Sequence, residues 1–283
     1  MFSAALGGSA ANIAAGIARL GGHADLISVV SNDAIGRYTI NELKKYGVGT
    51  QHVVAVGGEA RNSLAVVETR SENCQSVIYR NGAADFQLTV DHVKNIPYTD
   101  YKSFIVTGTA LAVEPSREAT FKAIELATKS GLQIILDVDY RPYSWANPED
   151  ACETCLRAAK LSDIVIGNDD EFAVMGGGLE LAKSLRAEIV IYKMGERGSV
   201  TFSKGLSFET GIFKVKALKP TGAGDSFMAA FVTSLAQGMD IKSSVHRGSA
   251  AAAIVVTRVG CAPAMPTQDE LTNFMVTHAH STL

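Results

Sequence analysis

Cysteine is scarce, at four residues in a chain of 283. That excludes a disulfide-stapled scaffold and fits reduced thiols in a cytoplasmic protein. Long apolar runs are missing as well. No stretch reaches the length of a transmembrane helix, and Met1 to Leu6 is too short for a secretory signal, so no membrane partner is expected. Nor is charge of one sign in excess: 26 Lys and Arg stand against 29 Asp and Glu, a formal net charge of -3. Such a balance leaves no basic footprint for nucleic acid or an anionic surface. Internal repeats and low-complexity linkers are absent too. What remains, 47% hydrophobic and 19% charged, is the composition of a soluble globular protein with a large core.

The hydrophobic pattern divides the chain by texture. Ser9 reads as the N-cap of a helix running to Leu20, with Ile13, Ile17 and Leu20 on one face and Gly21 beyond its end. Leu26 to Val30 reads as a buried strand, and Ala34 to Tyr46 as a second helix stopped by Gly47. From 51 to 88 the pattern changes to short alternating strands, at Val53 to Val56, Ser63 to Thr69 and Ser76 to Arg80, with a break at Ser71, Glu72 and Asn73. Such strands suit a β-rich lid rather than a parallel core. Beyond them, near-continuous apolar strands alternate with helical patterns. The strands are Phe104 to Val106, Leu132 to Val138, Ile164 to Ile166 and Ile189 to Tyr192. The helices are Ser116 to Lys129, Asn147 to Ala159 and Glu180 to Arg186. That alternation predicts an α/β fold with a mostly parallel sheet covered on both faces. Two Ala-rich helices, Ser226 to Gln237 and Ile241 to Arg258, close the core.

The chain is organised around Lys219-Pro220-Thr221-Gly222-Ala223-Gly224-Asp225-Ser226-Phe227, which joins an apolar run to the first Ala-rich helix. Glycines at 222 and 224 let the backbone approach a ligand closely. The helix that follows offers unpaired N–H groups and a positive dipole end, which favour a phosphate. Beside such a cradle, Asp225 is placed to face an alcohol, and the pair is what phosphoryl transfer to a hydroxyl requires. Taken alone, the stretch equally fits a tight turn with an Asp at a helix N-terminus.

Residues 221–227 resemble the C-terminal signature of the ribokinase-like (PfkB) carbohydrate kinases. Gly7-Gly8-Ser9-Ala10-Ala11-Asn12-Ile13-Ala14 resembles that family's N-terminal signature, and Asp33 with Gly36 keeps its D-x-x-G pattern. The resemblance implies a ribokinase-like three-layer sandwich with a mostly parallel central sheet and a small β lid. Residues 1–50 and 89–283 would form the core, and 51–88 the lid. In the family, a strand carrying a sugar-binding aspartate and a lid hairpin precede the Gly-Gly signature. Here that signature begins at Gly7, so the first core strand and part of the lid are expected to be missing, in a natural short form or through a truncated or misassigned start.

By the same resemblance, Asp225 is the catalytic base, and Gly222, Ala223 and Gly224 form the anion hole. Gly8 and Asn12 bind sugar hydroxyls; an Asn inside an Ala/Ile helix in any case calls for a polar partner. Lys193-Met194-Gly195-Glu196-Arg197-Gly198 resembles the nucleotide-side loop, which places Lys193, Gly195 and Gly198 with Thr221, Gly222 and Gly224 along ATP. Asn168-Asp169-Asp170-Glu171 matches the family's N-x-x-E element, in which Asn168 and Glu171 help hold Mg²⁺ and its waters. Read by themselves, these two segments are a hairpin turn and an acid-rich helix start. Many relatives bind K⁺ through an acidic residue six positions before the aspartate. Lys219 stands there, so no monovalent-cation site is carried over.

Asp137-Val138-Asp139-Tyr140-Arg141-Pro142-Tyr143-Ser144-Trp145 follows a core strand and looks like the Arg-Pro segment of the acid-sugar kinases. Arg141 could clamp a carboxylate in bidentate fashion, and Arg80, in Tyr79-Arg80-Asn81, is a second candidate for the acid end. Either could instead be a structural ion pair. The nearest branch phosphorylates 5-dehydro-2-deoxy-D-gluconate at its 6-hydroxyl; the alternative acceptor is 2-dehydro-3-deoxygluconate. From another class comes a non-catalytic binding or regulatory paralogue. A dinucleotide-binding oxidoreductase lacks its strand, G-x-G-x-x-G and helix unit here. Assembly as a homodimer through lid strands stays open. Cys152 and Cys155 have no second ligand pair for zinc, and His278 and His280 read as solvated tail residues.

Overall fold

The structure, a computed structural model, describes residues 3–67, 76–218 and 221–278. The turn at Ser71 to Asn73, Lys219 and His280 lie outside the described residues. In chain order the elements are α1 (Ser9–Arg19), β1 (Ser28–Ser31), α2 (Ala34–Lys45), β2 (Val53–Val56), β3 (Leu64–Val67), β4 (Ser76–Tyr79) and α3 (Val90–Val93). Next come β5 (Ser103–Thr107), α4 (Ser116–Lys129), β6 (Gln133–Asp137), α5 (Pro148–Lys160), β7 (Ile164–Asn168), α6 (Asp169–Val174), α7 (Leu179–Ser184) and β8 (Ile189–Lys193). The chain continues through β9 (Ser199–Ser203), β10 (Leu206–Thr210), α8 (Ala223–Ala236), α9 (Ile241–Val256) and α10 (Gln268–Thr277). No described helix is long and apolar enough to cross a membrane.

Two compact units divide these elements: Met1–Gln87 with Phe213–Leu283, and Leu88–Ile212. The second unit holds a six-stranded sheet in the order β10-β9-β8-β7-β6-β5. Strands β5 to β8 run parallel to one another, whereas β9 and β10 are antiparallel additions at one side. The four parallel strands are the near-continuous apolar runs of the sequence, and β6, β7 and β8 are buried along almost their whole length. Helix α4 packs on β5 and β6, and α6 and α7 on β8. Helix α5 begins where its sequence says it should: Asn147 caps it by accepting from the Asp150 N–H, and Pro148 takes the first turn, where no amide donor is needed.

The first unit is helical at its centre. Helix α1 packs against α8, and α8 against α9. At the α1–α8 seam the approach is close: a Cβ added to Gly16 would lie 2.6 Å from the Ala229 Cβ. Helix α2 is capped by Asp33, whose carboxylate accepts from the Ile35 and Gly36 amides and the Ser31 hydroxyl. The Gly36 amide chiefly, then Ser31, hold the Asp33 carboxyl below its ordinary range. A Cβ at Gly36 would collide with the Ser31 carbonyl, so the D-x-x-G pattern works here as a tight helix start. Of the short strands expected between 51 and 88, β2 pairs in parallel with β1, while β3 and β4 form an antiparallel ribbon with Leu64 opposite Tyr79.

Two local expectations need correcting, and three elements were not anticipated. Gly8, with φ of 95°, is the N-cap of α1, and Ser9 is the first helical residue. Strands β9 and β10, not among the strands read from the sequence, follow the turn at Gly195 to Gly198, and α10 extends the chain beyond α9 with a Thr267–Glu270 capping box. The predicted solvation of His278 is also only partial, because its ring stacks on Phe274 with centroids 4.0 Å apart.

Candidate active site

Helix α8 starts from Gly222, which sits in the left-handed region at φ of 87°, and its first hydrogen bond runs from the Ser226 N–H to the Gly222 carbonyl. A side chain at 222 would strain that turn. Ala223 and Gly224 precede the first intrahelical bond, so their N–H groups point out of the positive end of the helix dipole. Asp225 follows at once, half-buried in the first turn.

Two donors from α1 hold this carboxylate. The Ser9 hydroxyl donates to Asp225 Oδ1 at 2.8 Å, and the Asn12 amide donates to Oδ2, also at 2.8 Å. Ser9 and Asn12 are three residues apart and therefore share a helix face. Asn12 is buried, at 3% exposure, and its Oδ1 has no hydrogen-bond partner. The sequence called for a polar partner to Asn12, and that partner is Asp225. Ser9 was missed. A serine after glycine at a helix start reads as a cap, and only the i, i+3 spacing with Asn12 signals its second use.

The remaining candidate in this unit, Arg80, is already engaged. Its Nε and Nη2 donate to one oxygen of Asp85 at 3.0 and 2.6 Å, and its guanidinium lies 4.1 Å from the centroid of the Phe86 ring. Gly8 is exposed, with open space around its Cα.

In the other unit, candidates from three neighbouring strands gather at one edge of the sheet, the carboxyl ends of β6, β7 and β8. Ligands of open α/β sheets bind at that edge. After β6, Arg141 donates through Nη2 to Asp139 Oδ1 at 2.7 Å, while Asp139 Oδ2 accepts from the Thr109 hydroxyl at 3.0 Å. Asp139 is buried and adopts φ of 37°, a strained backbone for a residue other than glycine. At the end of β7, Asn168 and Glu171 form a reciprocal capping box on α6. The Asn168 side chain accepts from the Glu171 N–H at 3.0 Å, and Glu171 Oε2 from the Asn168 N–H at 2.7 Å. Lys193 stands opposite Asn168 in register at the end of β8. The Gly195 to Gly198 segment is the turn into β9, with Gly195 at φ of 57° and Gly198 at 81°.

The sequence profile of the pfkB family carbohydrate kinases matches residues 2–268. The chain belongs to that family. As a pfkB kinase it is a sugar kinase, and its curated relatives support this over nearly the whole length. A 5-dehydro-2-deoxygluconokinase of Photobacterium profundum is 41% identical over 98% of this chain and 87% of its own. One of Bacillus anthracis is 39% identical over the same shares. Among solved structures, the fructokinase of Vibrio cholerae O395 with fructose, ADP and calcium bound superposes with a TM-score of 0.84. It is 26% identical, with 95% of this chain and 90% of that one covered. The pfkB kinase thus has the ribokinase-like α/β fold expected from its sequence.

The capping box bears on a metal. One oxygen of Asn168 and one of Glu171 are used in it, and the second carboxylate oxygen of Glu171 remains. Among the described residues no group of three or more His, Cys, Asp or Glu is arranged to hold an ion. This donor set fits a hard cation that keeps most of its waters rather than one in a full protein cage. Cys155, on α5, is buried, and burial pushes its thiol up to about 12.

Proposed function

We propose that this kinase transfers the terminal phosphoryl group of ATP to the 6-hydroxyl of 5-dehydro-2-deoxy-D-gluconate. The observation that carries the chemistry is Asp225 in the first turn of α8, with Ser9 and Asn12 donating to its two carboxylate oxygens and a helix end without a side-chain cap beside it. The identities of about 40% to named 5-dehydro-2-deoxygluconokinases support the choice of acceptor.

Asp225 orients the acceptor hydroxyl and takes its proton as the new O–P bond forms and the bond from the γ-phosphorus to the β,γ-bridging oxygen breaks, releasing ADP. The amides of Gly222, Ala223 and Gly224 face the charge on the transferring group. Because the transition state of phosphoryl transfer is loose, alignment contributes more than the basicity of the carboxylate. Asn12 offers its unpartnered Oδ1 to a sugar hydroxyl. Arg141 takes the acid end, its fork already held by Asp139; Arg80 and Gly8 are the other substrate-binding candidates. Thr221, Lys193, Gly195 and Gly198 line the nucleotide. Mg²⁺, when bound, neutralises phosphate charge, and Asn168 and Glu171 would hold it through water. Residues 51–88 are assigned as the lid region, and 1–50 with 89–283 as the core.

The test is ATP turnover with 5-dehydro-2-deoxygluconate and, separately, 2-dehydro-3-deoxygluconate, for the wild type and Asp225→Asn. Turnover that requires the first acid and collapses by roughly 100-fold or more in the variant is the expected result. Preference for the second acid would move the acceptor assignment. A folded, ATP-binding wild type with no turnover on either would favour a non-catalytic paralogue.

A further inference from the structure

We propose that Ser9 is the positioning residue of Asp225, the donor that keeps the carboxylate in place while Asn12 turns to the substrate. The inference rests on the reading of Asp225 as the base and adds a role for a residue outside that reading.

A carboxylate on a short stem rotates freely unless its oxygens are held. Here Ser9 donates to Oδ1 and Asn12 to Oδ2, both at 2.8 Å. The two donors are not equivalent. Asn12 is buried and carries an acceptor, Oδ1, without a partner. A buried unpaired carbonyl is costly, which points to a ligand hydroxyl as its missing partner. An amide that swings to meet that hydroxyl loosens its hold on Oδ2. Ser9 has no comparable second task. It is not the N-cap of α1, since Gly8 holds that position, and its hydroxyl is spent on Asp225. The close contact of Gly16 with Ala229, farther along the same seam, fixes the distance across which Ser9 must reach.

Removing a hydrogen bond to a charged group costs roughly 10- to 100-fold. Ser9→Ala should therefore lower kcat by that factor. KM for the sugar should stay within about threefold, and the thermal midpoint should not move. Ser9→Thr, which keeps the hydroxyl, should recover most of the rate; a loss from altered helix packing would not be repaired this way. The Ser9→Ala and Asp225→Asn double variant should be no slower than Asp225→Asn alone. Wild-type kcat in Ser9→Ala, a loss confined to KM, or a failure of Thr to restore the rate would overturn the inference. Asp225→Asn assayed alone separates the two readings. If it retains full turnover, the base assignment falls and the Ser9 role falls with it. If it collapses while Ser9→Ala is unaffected, only the Ser9 role is lost.

Discussion

Gly16 offers a sharp test of how packing governs the site. Ser9, Asn12 and Gly16 lie on one face of α1, at spacings of three and four residues, and Asp225 and Ala229 lie one turn apart on the facing side of α8. In Gly16→Ala the new Cβ would sit 2.6 Å from the Ala229 Cβ and 3.3 Å from the Met265 sulfur. Carbon atoms in contact prefer about 3.5–4.0 Å, so the helices must part by about 1 Å at this level. Overpacking costs about 1–3 kcal/mol, while replacing a helix-interior Gly by Ala returns about 1 kcal/mol. The net loss of about 0–2 kcal/mol lowers the melting temperature by only a few degrees. Turnover should suffer more. A displacement of about 1 Å one turn away stretches the two 2.8 Å bonds to Asp225, and misalignment on that scale costs up to about 100-fold in rate. Steady-state kinetics and thermal unfolding are measured on Gly16→Ala and on Gly16→Ala with Ala229→Gly, which removes the opposing methyl. The double variant should regain most of the lost rate. Wild-type turnover in the single variant, or no recovery in the double, would show that the seam does not govern the carboxylate.

Two further predictions concern stability. Arg117 donates twice to Asp150, at 2.8 and 2.6 Å, and also to the carbonyls of Leu111 and Ala112, so Arg117→Ala should cost about 2–3 kcal/mol in a denaturant titration. Arg117→Lys should recover less than half, because an ammonium cannot reproduce the fork; equal stability of Lys and Arg would refute this. Arg258 chiefly, with help from the Thr267 amide, holds the Glu270 carboxyl below its ordinary range. A carboxylate with a lowered folded pKa stabilises the protein above its unfolded pKa of about 4.3 and loses that contribution as pH falls through the folded value. The stability gap between wild type and Glu270→Gln should thus be full at neutral pH and shrink in acid below about pH 4; a gap independent of pH would contradict the linkage.

What could be read from the sequence followed the strength of the burial signal. Strands β5 to β8 were legible as near-continuous runs of Val, Ile and Leu, because β6, β7 and β8 are buried on both faces. Strands β9 and β10 were not, since β9 buries only Ser199 and Thr201, which are not apolar, and β10 is exposed or half-buried except at Thr210. Helix α10 went unseen for a related reason: its one fully buried residue is Leu271, which makes no stripe. At the site, the Gly-Ala-Gly-Asp stretch announced itself, but the ties of Asp225 to Ser9 and Asn12 are tertiary. The i, i+3 spacing of Ser9 and Asn12 puts them on one face of α1, but nothing local shows that this face meets a carboxylate in α8. Asn168 and Glu171 show the converse limit, because one residue pair satisfies both a capping pattern and a metal pattern.

Ser9 and Asp225 are separated by 216 positions, and the unit that contains them is split by the whole of Leu88–Ile212. On the ribosome, α1 emerges before the whole intervening unit and has no α8 to cover it until that unit has followed. The intervening unit is continuous in sequence and can fold meanwhile from contacts closer in sequence. A nascent chain stopped before Gly222 would therefore carry a formed sheet and an α1 with its apolar face still exposed.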